Sequence, residues 1–314
     1  MLELLRPPPL RPGDGIALVS PSRPASPELV AAGEAYLERR GFRVHRAPHL
    51  ADSYHYLAGR DRDRAADLMA AFLDPDIRAL FCARGGYGSG RVLDRLDLGA
   101  IAAHPKIVVG FSDTTGLHLG LYARIGLVGF TGALTDFDLS PPLPDPLMEA
   151  SLWRAVSSPE PIGQLVPGGQ GLTCLRPGRG AGPLVPANLA LLCSLMGTPF
   201  FPDLEGAILL VEDVGEYPYR LDRMLNQLRL AGVLDRLAGL VLGQFSSCFV
   251  PEEMELSPTL EETVLDHTRP GLPVLAGFPY GHVRRRLVLP VGVEAELDAE
   301  GLLLALRAPA LAPG

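Results

Sequence analysis

The chain has 314 residues, 47% of them hydrophobic and 20% charged, a globular composition that excludes a disordered or fibrous protein and is long enough for two domains. With 28 basic against 36 acidic residues and a formal charge of -8, it lacks the positive surplus that draws proteins to nucleic acids or anionic membranes. No apolar run approaches the ~20 residues of a membrane-spanning helix, and the four scattered cysteines form neither a disulfide scaffold nor a CxxC site.

The opening MLELLRPPPLRPGDG carries three consecutive prolines and no long apolar stretch, a poor secretory signal, so a cytoplasmic protein is expected. GIALVS (15–20) predicts a buried strand between Asp14 and Pro21. Ser26-Pro27-Glu28 then starts a helix, with serine as N-cap and proline in the first turn. Leu29, Val30, Ala32, Tyr36 and Leu37 form its inward face, and Gly41 ends it. Strands at 42–46 and 77–83 flank a helix at 61–73. A strand at 106–110 enters a turn at Phe111-Ser112-Asp113, followed by a helix at 114–124 and a strand at 127–130. Strands alternating with helices predict an α/β, Rossmann-like amino-terminal domain with a mostly parallel sheet.

This alternation stops near Ser140, where PPLPDP (141–146) is a breaker, with one further helix at 147–156. The Gly- and Pro-rich stretch 156–183 reads as a linker or as loop-connected edge strands. Beyond it the pattern predicts helices at 188–196 and 219–231 and strands at 206–211, 239–244, 273–278 and 287–290, then a hairpin around Ala299-Glu300-Gly301. The expected division is therefore 1–155, a 156–183 linker, and a smaller β-rich α/β domain over 184–314.

Three segments can carry chemistry. In Gly110-Phe111-Ser112-Asp113-Thr114-Thr115 a strand runs into a sharp turn and a helix, which projects a serine hydroxyl near helix N–H groups. Thr114 stands where a hydrolase elbow has its second glycine, and the same residues also read as an ordinary helix cap. Ala83-Arg84-Gly85-Gly86-Tyr87-Gly88-Ser89-Gly90-Arg91 also follows a strand. Its four glycines permit close approach of backbone N–H groups to an anion, or simply make a tight turn. In Val211-Glu212-Asp213-Val214-Gly215-Glu216, either glutamate can orient a histidine at a strand end, while Asp213 and Glu216 can instead cap the next helix and pair with Arg220 or Arg223. Of seven histidines, His282 is framed by two apolar strands. His118 lies inside the helix after Ser112. His49, Asp52 and His55 only superficially suggest a metal site, because they lack the spacing of one.

Taken together, GDGIALVSPSRP, RALFCARGGYGSGR, KIVVGFSDTTGLHLGL, NLALLCSLMGTPF, LLVEDVGEYPYRLDRML and GFPYGHVRRRLVLPVG resemble the LD-carboxypeptidase family of serine peptidases, over most of the chain and in the family's order. The resemblance implies Ser112 as nucleophile, His282 as base and Glu212 as its acid partner, with Glu216 the alternative. It implies backbone oxyanion donors at Gly86 and Asp113. It also implies no metal or cofactor, a muropeptide substrate cleaved before a terminal D-alanine, and a homodimer. Arg84 is offered for the substrate's free carboxylate, with Tyr87 beside it. Two other readings remain: a microcin-immunity-type peptidase acting on aminoacyl-nucleotide or acyl-sulfamoyl conjugates, for which Trp153 is the one tryptophan able to meet a base, and a non-catalytic nucleotide-binding protein. The absence of a clean G-x-G-x-x-G in the first strand-to-helix turn counts against the last.

Overall fold

A computed structural model describes residues 3–140, 144–249 and 257–313; the first three residues of the 141–146 breaker lie outside these. The amino-terminal half runs β1 (Gly15–Val19), α1 (Pro27–Arg39), β2 (Arg43–Arg46), α2 (Asp61–Leu73), β3 (Ile77–Cys82), α3 (Leu98–Ala103), β4 (Ile107–Gly110), α4 (Thr115–Ile125) and β5 (Phe130–Thr131). Ser26 caps α1 by accepting from the Leu29 amide, as its sequence position predicts. Gly126 closes α4 in the left-handed conformation. Two expectations shift. Leu29 points outward, 37% exposed, and the fifth strand lies at 130–131 because Leu127 instead bridges to Leu5.

These strands pair in parallel in the order β2-β1-β3-β4-β5. The chain thus winds outward from β1 in one direction and from β3 in the other, and the crevice where the loops part lies at their carboxyl ends, the usual ligand position in such sheets. Short helices α5 (Thr135–Asp138) and α6 (Pro146–Ser157) follow.

The Gly/Pro-rich stretch contains real strands. β6 (Gly163–Gln164), β7 (Thr173–Arg176) and the start of β8 (Arg179–Asn188) join a second sheet, with β6 and β7 at its two edges. That sheet is completed by β9 (Ile208–Val214), β10 (Gly239–Ser246), β11 (Val274–Ala276), β13 (Val293–Asp298) and β14 (Leu303–Leu306). Its centre, β8-β9-β10-β11, is parallel, and the remaining pairs are antiparallel, including the expected β13–β14 hairpin. Helices α7 (Leu189–Ser194), α8 (Pro218–Leu230), α9 (Val233–Arg236) and α10 (Leu260–His267) complete the chain.

One crossing decides where the site forms. β12 (Leu289–Pro290), which the 184–314 boundary places in the rear domain, pairs antiparallel with β5 and becomes an edge of the first sheet. The chain between β11 and β12 must therefore bridge the two sheets, and His282 lies within that bridge. Apolar side chains bury on both sides of it: Phe278 and Tyr280 are 0% exposed, as is Leu289. Burying rings and leucines of this size stabilises the crossing by roughly 1.5–3 kcal/mol per side chain.

Candidate active site

Ser112 sits where β4 turns into α4. It is one of few non-glycine residues in the left-handed region, with φ +63, a conformation costing roughly 1–2 kcal/mol for a residue with a Cβ. The turn closes tightly because Gly110 and Gly85 have no side chains. A Cβ on Gly85 would lie 2.9 Å from Ser112 Cβ, and one on Gly110 would lie 2.4 Å from Thr114 Oγ1. The neighbouring Asp113 is 1% exposed; its carboxylate accepts from Ser22 Oγ (2.6 Å) and the Ser89 amide (2.8 Å). It thereby knits together the loops after β1, β3 and β4. Arg64, from α2, does similar work between Pro21 and Gly88, donating to both carbonyls from a fully buried position.

From the second sheet, Glu212 projects out of β9 with 0% exposure. Its register partner on β8 is Asn188, whose Nδ2 donates to Glu212 Oε1 at 3.1 Å and to Asp213 Oδ1 at 3.0 Å. Sequence reasoning missed Asn188, although its position at the end of one strand and the cap of α7 was a usable signal. Asp213 caps α7 rather than the following α8, accepting from the Ala190 amide at 2.9 Å, because its side chain turns back beside Asn188. Burial pushes the Asp213 carboxyl up to about 6. Glu216 reaches Arg220 at 3.3 Å, the generic fate foreseen for it.

His282 joins the two halves. Its Nδ1 lies 2.7 Å from Glu212 Oε2 and its Nε2 lies 2.9 Å from Ser112 Oγ. A carboxylate only accepts, so Nδ1 carries the proton and Nε2 is left to accept from the serine hydroxyl. The loop is held at several points: Ser246 Oγ donates to the His282 carbonyl (3.2 Å), and the Gln244 amide donates to the Tyr280 carbonyl (2.8 Å). Phe111 lies beside the imidazole, tilted 44° to it with ring centroids 4.7 Å apart, and the Arg286 guanidinium lies 4.5 Å over Phe111.

Ser112 and His282 open into a cavity of about 270 Å³, lined also by Gly85, Gly86, Leu134, Phe137 and three arginines, Arg23, Arg84 and Arg286. Gly86 has φ +111, so glycine is required there. Arg84 reaches the cavity but stands 3.6 Å from Asp136, whose carboxyl burial pushes up to about 6 against the pull of Arg84. Tyr87 lies outside the cavity lining, half-exposed, its ring set against Tyr56 with centroids 5.8 Å apart. Trp153 is also outside the lining. It packs between α6 and α1, stacked on Phe42 at 5.2 Å and donating to Tyr36 Oη at 2.8 Å. His49 pairs with Asp52 at 2.8 Å, and among the described residues no group of three or more His, Cys, Asp or Glu side chains is placed to hold a metal. Among the described residues no helix is long and apolar enough to cross a membrane.

Residues 16–132 match the LD-carboxypeptidase N-terminal domain and residues 181–297 the LD-carboxypeptidase C-terminal domain. A Bacillus subtilis protein named "Probable murein peptide carboxypeptidase" is 38% identical over 93% of this chain and 91% of its own. The muramoyltetrapeptide carboxypeptidase of Oxalobacter formigenes superposes with a TM-score of 0.82 at 28% identity, over 94% of this chain and 99% of that one. The structure of MccF, a microcin C7 self-immunity protein, in complex with glutamyl sulfamoyl guanosine superposes with a TM-score of 0.89 at 25% identity, over 98% and 100%. Fold and matches together define a hydrolase of the peptidase class. Within that class, the chain belongs to the LD-carboxypeptidase family.

Proposed function

We propose that this protein is a serine LD-carboxypeptidase that removes the terminal D-alanine from muropeptides by cleaving the amide to the preceding L-centre, as in peptidoglycan recycling. The reading rests on one observation: the hydrogen-bonded run Ser112–His282–Glu212, whose serine and histidine open into a cavity. His282 Nε2 takes the hydroxyl proton as Ser112 Oγ attacks the carbonyl carbon, and Glu212 holds the tautomer and stabilises the imidazolium. The Gly86 and Asp113 amides receive the oxyanion, each worth about 3 kcal/mol in comparable sites. The imidazolium then protonates the leaving amine, and water, activated by the same imidazole, releases the acyl group. A cytoplasmic homodimer belongs to the same reading, and sedimentation of the purified protein tests the dimer.

The decisive experiment incubates L-Ala-γ-D-Glu-diaminopimelate-D-Ala with the protein and with its Ser112→Ala variant. Release of D-alanine by the parent alone supports the proposal, and equal release by both refutes it. Glutamyl sulfamoyl guanosine, the compound bound to MccF, serves as the competing substrate. The occupied ring faces of Trp153 disfavour a base-stacking role for it, so faster cleavage of the tetrapeptide is expected.

A further inference from the structure

Three arginines line the cavity, and two have their charge matched: Arg84 by Asp136 at 3.6 Å and Arg286 by Asp138 at 2.5 Å. Arg23, on the loop after β1, makes no ion pair or side-chain hydrogen bond among the described residues. Its backbone is nonetheless anchored, the amide donating to the Gly85 carbonyl at 3.2 Å. Its aliphatic stem lies directly on Gly86: a Cβ added there would come within 2.1 Å of Arg23 Cδ and 2.3 Å of Cγ. An unmatched guanidinium whose stem lies on a left-handed glycine, in the same cavity as Ser112, is the arrangement of a ligand contact.

We infer that Arg23, rather than Arg84, receives the free carboxylate of the substrate's terminal residue. This rests on the carboxypeptidase reading and names the feature of the substrate that the site selects. In a terminal residue the carboxylate carbon is three bonds from the scissile carbonyl carbon, on the order of 4 Å away. A carbonyl oxygen directed at the Gly86 amide therefore brings the carboxylate beside whatever side chain lies on Gly86. That side chain is Arg23. Arg84 would have to exchange a carboxylate it already faces for the substrate's, which gains less than pairing an unmatched guanidinium.

The test compares the tetrapeptide free acid with its C-terminal amide. Arg23 is exposed and outside the core, so Arg23→Gln should fold. A charge-assisted contact of this kind predicts a loss of about 10- to 100-fold in kcat/KM on the free acid, mainly through KM, with the amide changed less than about threefold. Arg84→Gln should keep the parent's preference for the acid. Survival of that preference in Arg23→Gln, or its collapse in Arg84→Gln, overturns the assignment. Calorimetry with N-acetyl-D-alanine and N-acetyl-D-alaninamide separates the two proposals. If the parent releases no D-alanine, the carboxypeptidase reading fails, but acid-selective binding lost in Arg23→Gln still supports this site. Absent binding, or binding indifferent to Arg23, refutes it.

Discussion

Arg286 is the most consequential buried charge outside the hydrogen-bonded run, and its removal tests how the two halves are held together. Its side chain is 1% exposed and that of Asp138 is 5% exposed. Nε donates to the Gly132 carbonyl at 2.7 Å, Nη1 to the Val283 carbonyl at 2.6 Å, and Nη2 to Asp138 Oδ2 at 2.5 Å. The guanidinium thus ties the loop after β5 to the residue following His282. Arg286→Met keeps much of the volume and leaves Asp138 as an unmatched buried anion, a loss of about 3–5 kcal/mol. Pairing it with Asp138→Asn removes the stranded charge and should recover about 2 kcal/mol or more, because the remaining amide can still accept from the Leu134 amide that Asp138 now engages. Burial already raises the Asp138 carboxyl, and Arg286 pulls it down. Without the arginine the folded value rises further above the unfolded one, so protonation favours the folded state: the single variant's deficit should shrink toward acid pH and grow as pH rises. Urea unfolding of parent, single and double variants at pH 5 and pH 7 measures all three quantities, provided the slopes agree. A single variant within 1 kcal/mol of the parent, or a double variant no more stable than the single, would show that the pair contributes nothing of this kind.

Gly85→Ala places a Cβ 2.9 Å from Ser112 Cβ and 3.3 Å from the Phe111 carbonyl oxygen; displacement of the serine should lower kcat by about 100-fold, read as D-alanine release, while urea unfolding shows the fold retained. His118, 1% exposed inside α4, has its imidazole pushed down to about 4 by burial. The unfolded chain binds that proton first, so His118 contributes stability above pH 6.5 that is lost as pH falls through about 4. His118→Leu should remove this loss, its stability gaining on the parent's by up to about 1.4 kcal/mol per pH unit across that window; parallel curves would contradict the shift. Asp213, raised to about 6, acts in the opposite sense, destabilising as pH rises from about 4 to about 6, and Asp213→Asn should expose the histidine's slope more fully.

Much was legible because local chemistry writes itself into local sequence. Ser26-Pro27 specified the start of α1, the bounds of α2 follow directly from its helical pattern, and the strand–Ser–helix pattern predicted the sharp turn that presents Ser112. Even the unforeseen α10 was readable, since Thr259 and Glu262 form a capping box. Long-range pairings left no such trace. The edge positions of β6 and β7 came from pairing with β14 and β11, strands far along the chain, and the choice of Asn188 as partner to Glu212 came from the register of β8 against β9.

The division follows from the range of the forces involved. Periodicity, caps and turns are settled within a few residues, so the order of letters alone determined the alternating α/β pattern, the turn bearing Ser112 and the loop bearing His282. Which glutamate meets the imidazole, which arginines find counter-charges, and where Tyr87 and Trp153 face depend on surfaces meeting across the chain. The last of these meetings brings β12 across to the first sheet and carries His282 to within 2.9 Å of a hydroxyl 170 residues earlier.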